Sequence, residues 1–133
     1  MIGVRTNAGQ VATELAEVAA RLDASIVRTT RDTGALLRTA VQERAPRGPG
    51  PKAGRYRRSW RVKFQSSLRG AAVATVGTDE PYGYRLEAGF EGDGFSQPPQ
   101  PHVEPALAEI GPVFIASIEA MVRHWLPDRA PRR

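Results

Sequence analysis

Apolar residues in the first third of the chain recur at helical spacing. Val11, Leu15, Val18, Leu22 and Ile26 follow at intervals of four, three, four and four, and Leu37, Ala40 and Val41 resume the stripe, with Arg44 at its end. Such spacing keeps one helix face apolar, and Glu14, Glu17, Arg21, Arg28, Arg31 and Arg38 fall mostly off it. The pattern predicts a helical region over 9–44. Within it, TTRDTG (Thr29–Gly34) is poor helix material, because β-branching and glycine lower helix propensity, so a bend or break is expected there. Unbroken, the helix would run about 50 Å at 1.5 Å per residue. That exceeds what a compact chain of 133 residues needs, and a protruding helix implies a neighbour.

APRGPGPKAG (Ala45–Gly54) has three prolines and three glycines in ten residues, which predicts a loop over 45–54. RYRRSWRVKF (Arg55–Phe64) then alternates. Tyr56, Trp60, Val62 and Phe64 share one parity, Arg55, Arg57, Ser59, Arg61 and Lys63 the other, and Arg58 alone is out of step. Strict alternation predicts a strand with a buried face and a cationic exposed face. QSSLRG connects it to a second strand, AAVATVG (Ala71–Gly77), rich in small and β-branched residues. The short connection implies an antiparallel hairpin over 55–77.

TDEPYGYRLEAG reads as a short helix over 79–89. Asp79 would cap it, Pro81 would fill its first turn, Gly89 would end it, and Tyr82 and Leu86 would share a face. Residues 90–104 form a Gly/Pro loop of a length usually tied to function. Leu107, Ile110, Phe114, Ile118, Met121 and Trp125, at intervals of three, four, four, three and four, predict an amphipathic helix over 105–126. Pro112 should kink it or delay its regular start. A polar, basic tail, 127–133, closes the chain. The order predicts a single α+β domain: a small antiparallel sheet with a long N-terminal helix, a short central helix and a C-terminal amphipathic helix packed on one face.

Charge sharpens this picture. The net charge is +5, yet Arg44–Thr78 holds nine Lys or Arg and no acid, while the remainder holds ten basic and fourteen acidic residues. A mildly acidic body carries one basic block, which points to a polyanion or an acidic partner surface. Tyr56 and Trp60 lie on the parity opposite the arginines, which argues for core aromatics over a stacking platform for single strands.

Candidate chemistry is sparse. The chain has no cysteine, and its two histidines, His102 and His124, lie in different segments, so neither thiol chemistry nor a zinc site is expected. No phosphate-binding glycine loop occurs. The paired acids Asp79–Glu80 and Glu91–Asp93 sit in turns, where acids cap and solvate. His102 lacks a nucleophile partner and is expected to pack in a turn, while His124 can interact with its helix's C-terminal carbonyls. Glu87, near the Gly89 turn, is expected to pair with an arginine or hold the backbone of that turn rather than catalyse. No enzyme activity and no cofactor are expected. The N-terminus lacks a signal-peptide core and no run approaches the ~18 apolar residues of a membrane span, so no membrane partner is expected and the chain reads as soluble and unexported.

Several short motifs recur together. Ala45, Pro46, Gly54, Tyr56 and Ser59 are followed by Val76–Thr78, with Gly77 between; then come Tyr82, Gly83, Leu86, Glu87 and Gly89, and finally Pro99, Pro101, His102, Val103, Pro105 and Ala106. In order and spacing they resemble the tail-component family of neck and tail-completion proteins of long-tailed double-stranded DNA phages, over about Val11–Trp125. Ala53, Gly83 and His102–Val103 depart from the family's usual threonine, alanine and Phe-plus-apolar pair.

The resemblance implies a non-enzymatic virion protein at the head–tail junction, assembled in the bacterial cytoplasm. It would form a six-fold or twelve-fold ring beside connector, head-closure or tail-terminator and tail-tube proteins, with genomic DNA along the ring axis. On that reading Arg55, Arg57, Arg61 and Lys63 face the channel or an acidic neighbour. Arg47, Pro49, Lys52, Gly54, Phe90, Phe95, Pro99, Pro101 and His102 belong to loops between subunits or rings. Pro46, Gly54, Gly77, Tyr82, Glu87, Gly89 and Pro105 are structural motif residues. A tail terminator, or a small basic nucleic-acid-binding module, is the alternative.

Overall fold

A computed structural model describes residues 3–48, 51–67, 71–92 and 94–125. Pro49, Asp93, part of the first hairpin connection and the tail 127–133 lie outside the described residues. The elements run α1 (Ala8–Arg44), α2 (Arg55–Arg58), β1 (Arg61–Ser66), β2 (Ala72–Gly77), α3 (Gly83–Ala88), β3 (Phe90–Gly92), β4 (Phe95–Gln97) and α4 (Val103–Trp125). The class is α+β. β1 and β2 pair antiparallel, Val62 opposite Val76 and Phe64 opposite Ala74, and α1 crosses one face of this sheet. α4 packs against α1 and runs antiparallel to it: Arg44 pairs with Glu109 near one end, and Arg21 lies 5.9 Å from the Trp125 ring centroid at the other.

Of the bend or break expected at Thr29–Gly34, no break occurs; α1 is continuous. The reason is packing. Thr30 and Gly34 are buried against the sheet, and a Cβ on Gly34 would lie 2.7 Å from the Ala74 Cβ and 3.3 Å from a Val62 methyl. Glycine lets helix and sheet approach closely there, and that burial outweighs its poor propensity. The stripe does not end where its partners do. Val11 and Leu15 are exposed, so the apolar face of α1's first half is not core as the pattern implied.

The buried apolar core gathers instead where the C-terminal half of α1, α2 and the start of α4 meet. It comprises Ala40, Val41, Ala45, Tyr56, Trp60, Ala106 and Ile110, flanked by Leu37, Val76, Leu86 and Val103. α4 runs through Pro112 and starts at Val103, two residues before the expected Pro105. By length and composition it is apolar enough to cross a membrane, with a mean hydropathy of 1.5, contrary to the expectation that no stretch is. Here it lies along α1, and Glu104, Glu109, Glu119 and Arg123 punctuate it. The expected loop 90–104 contains a second antiparallel hairpin, β3–β4.

The predicted strand Arg55–Phe64 divides in two. Arg55–Arg58 is a helical turn entered through Gly54 at φ 81°, and only Arg61 onward is strand. Gly34→Ala should therefore lower stability by about 1–2 kcal/mol, although alanine is the better helix former. Urea denaturation checks this; an unchanged or raised midpoint would contradict the close-approach account.

Candidate functional site

The scattered motif residues converge on one buried polar cluster. Tyr56, on α2, and Trp60, two residues past its end, both turn their rings inward, edge-on to each other at 5.9 Å. His102 is wholly buried between them, edge-on to Tyr56 at 5.4 Å and to Trp60 at 5.7 Å. Its Nδ1 lies 2.7 Å from the Gln100 carbonyl oxygen and 2.9 Å from Glu87 Oε2. Both are acceptors, so Nδ1 carries the proton and Nε2 is left facing the Tyr56 hydroxyl at 2.7 Å. Burial first, then the nearby Glu87 carboxylate, pushes the Tyr56 phenol up to about 12. It stays protonated and donates to Nε2.

Glu87 holds the start of α4. Its Oε2 accepts the backbone N–H of His102 at 2.8 Å and of Val103 at 3.1 Å, and its Oε1 accepts that of Glu104 at 3.1 Å. Pro105 has no N–H to satisfy and suits the first turn. One carboxylate thus takes the donors a helix N-terminus leaves unpaired, where the helix dipole also favours negative charge. Partial burial raises the Glu87 pKa; the three backbone N–H groups and His102 together outweigh it, and the net shift is below the ordinary 4.5.

Glycines make this geometry possible. Gly89, at φ 79°, ends α3, and a Cβ there would lie 3.0 Å from Gln97 O and Pro99. Gly83 packs beneath the Tyr56 ring, where a Cβ would sit 3.2 Å from the hydroxyl. Ser59 Oγ meets Thr78 Oγ1 at 2.6 Å and ties α2 to the end of β2.

The four cations expected on one strand face are dispersed. Arg57 is half-buried, its Nε–H donating to the Ala45 carbonyl at 2.5 Å, and Arg55 pairs with Glu80 at 3.3 Å. Only Arg61 and Lys63 lie on the outer sheet face. Val62 and Phe64 turn toward α1, where Arg31 lies over the Phe64 ring at 4.6 Å. Of the residues assigned to contact loops, Arg47, Lys52, Phe95, Pro99 and Pro101 are exposed and Phe90 is half-buried beneath Arg85. His102 and Gly54 are buried within the chain's own fold. Pro46, Gly77 and Tyr82 border the cluster's supporting turns. His102 packs inward from the irregular segment just ahead of α4, where a turn is expected, and Glu87 holds backbone at the start of α4, where that of the Gly89 turn is expected; the sequence does not reveal that each holds the other. Pairing the QPHVEP stretch with an acid fifteen residues earlier was the available signal.

With this geometry in place, the comparisons are informative. Residues 9–89, more than half of the chain, match the model of the HK97-gp10-like family, described as "Bacteriophage HK97-gp10, putative tail-component". The chain belongs to this family. No curated protein and no solved structure matches it. The family match takes in α1, α2, the β1–β2 sheet and α3, and hence Tyr56, Ser59, Thr78, Gly83, Glu87 and Gly89; His102 and α4 lie beyond it. The family segment therefore supplies the carboxylate and the phenol that dock the following helix. Among the described residues no cluster of three or more His, Cys, Asp or Glu could hold a metal ion.

Because the Glu87 pKa is depressed in the folded state, its contribution is complete above the unfolded carboxylate value and is lost as pH falls through the folded one. Glu87→Gln should cost about 1–3 kcal/mol at pH 7, with the gap to wild type closing below pH 4.5. Urea titrations across pH 3–7 check this; a gap that stayed constant would contradict it. Tyr56→Phe should cost about 1–3 kcal/mol by leaving His102 Nε2 buried and unpaired.

Proposed function

We propose that the chain is a structural subunit of the phage neck, a homo-oligomeric ring between the DNA-filled head and the tail. Membership of the tail-component family over residues 9–89 carries this reading. It supports a place in the virion, in contact with other virion proteins, and an assembly role.

The shape of the chain supports the same reading. An α1 that outruns its own partners, a largely exposed α4 and a projecting β3–β4 hairpin are surfaces for neighbours. Phe95, 61 % exposed at the hairpin and 6.2 Å from Phe90, offers an aromatic contact to the ring above or below. Arg47, Lys52 and Arg58 are exposed on the segment before the sheet. They suit contact with phosphates of DNA in the lumen, which requires charge without base readout. The partners on this reading are further copies of the chain, the head-closure or terminator protein and the tail tube.

Phage lacking this protein should accumulate DNA-filled heads and complete tails that fail to join, and supplying the wild-type chain should restore infectious particles. Phe95→Asp should leave the fold intact and lower the yield of joined particles at least about tenfold, the scale of losing one buried aromatic anchor. Joined, infectious particles made without the protein would overturn the proposal.

A further inference from the structure

Two uncovered surfaces of this chain carry opposite charge. Residues 8–20 of α1 are exposed throughout, apart from a half-buried Val18, and extend about 20 Å. The charges on this overhang are Glu14 and Glu17, beside Val11 and Leu15, the latter 60 % exposed. Gln10 donates to Glu14 at 3.1 Å, and neither carboxylate has an ion-pair partner among the described residues. The second surface is the outer face of the β1–β2 sheet: Arg61, Lys63 and Gln65 opposite Gly77, Thr75 and Val73. Val73 is 58 % exposed, and neither Arg61 nor Lys63 has an ion-pair partner among the described residues.

We propose that the outer face of the β1–β2 sheet receives the α1 overhang of a second copy of this chain, Glu14 and Glu17 meeting Arg61 and Lys63, and Leu15 meeting Val73. The inference rests on the ring-subunit reading and names the contact that builds the ring. The overhang cannot reach its own sheet. α1 is continuous, and Leu15 lies about 28 Å along it from Gly34, where the sheet packs on the opposite side. Donor and acceptor are different surfaces, so the contact is head-to-tail and propagates until the rotation closes a ring. The exposed Leu107, Ile115 and Val122 of α4 offer another apolar face, but Glu104 accompanies them and Arg123, the one Lys or Arg of α4, is already paired with Glu119, so that face has no free cation to offer Glu14 and Glu17. Charge selects the sheet.

The natural absence of cysteine makes the test direct. Leu15→Cys combined with Val73→Cys should give disulfide-linked chains extending beyond dimers on non-reducing gels. This applies to purified full-length protein and to particles. Either single variant should give none, and a mixture of the two singles should give dimers only. An intrachain bond is excluded, because disulfides need Cα atoms within about 7 Å. Glu14→Lys with Glu17→Lys should weaken self-association at least about tenfold, and adding Arg61→Glu with Lys63→Glu should restore it. Assembly of the double-cysteine chain without cross-links overturns this contact and leaves the ring reading standing. Failure of wild-type chains to associate even in particles overturns both. If Arg61→Glu with Lys63→Glu abolishes double-stranded DNA binding and leaves association unchanged, the face belongs to DNA and the proposal fails.

Discussion

The placement of α4 depends on one carboxylate. The segment before it, Pro98–Pro101, offers few backbone donors and no regular structure, so local preference, Pro105 included, does not fix the angle at which the helix enters. Glu87 supplies that constraint from α3 by taking the N–H groups of His102, Val103 and Glu104. His102 then extends the constraint inward to Tyr56, and through α2 to the end of α1. Each member is oriented by the next: Gln100 and Glu87 fix the imidazole tautomer, the imidazole accepts from the phenol, and Gly83 makes room for the ring. Buried polar chains of this kind are costly when broken and specify one arrangement when complete.

This device matters because the rest of the chain is thinly covered. The buried core is concentrated around α2 and one end of the α1–α4 pair. Among the described residues, α1 continues past α4, and the β1–β2 sheet has a helix on one side only. A polar lock at the core's centre holds the geometry that these open surfaces present. Exposed apolar side chains such as Leu15, Val73, Phe95 and Ile115 are then presented on a defined frame.

The α+β class, the two long helices and the β1–β2 pairing were legible because each rests on a sustained period. The misread element is instructive. Tyr56, Trp60, Val62 and Phe64 are separated by four, two and two, and a step of four is both an even strand spacing and one helical turn. Parity therefore placed all four rings and side chains inward correctly while assigning the wrong backbone to the first two. Arg58, the residue out of step, marked the change, and Gly54 before it supplied the left-handed entry to a turn. TTRDTG misled for a different reason: propensity counts Thr30 and Gly34 against a helix, whereas the sheet selects them for their small size. The cluster itself was only partly legible. Glu87 and His102 stood out individually, but their meeting is a long-range contact that no local pattern encodes.

The central claim is that this fold is a repeating subunit of the structure that joins head to tail. A cryo-electron-microscopy reconstruction of the intact virion tests it most directly. The account predicts a closed ring of copies of this chain at the junction, with α1 of each copy reaching its neighbour and the axis open for DNA. A neck whose density is fully explained by other proteins, with this chain absent from the particle, would contradict it.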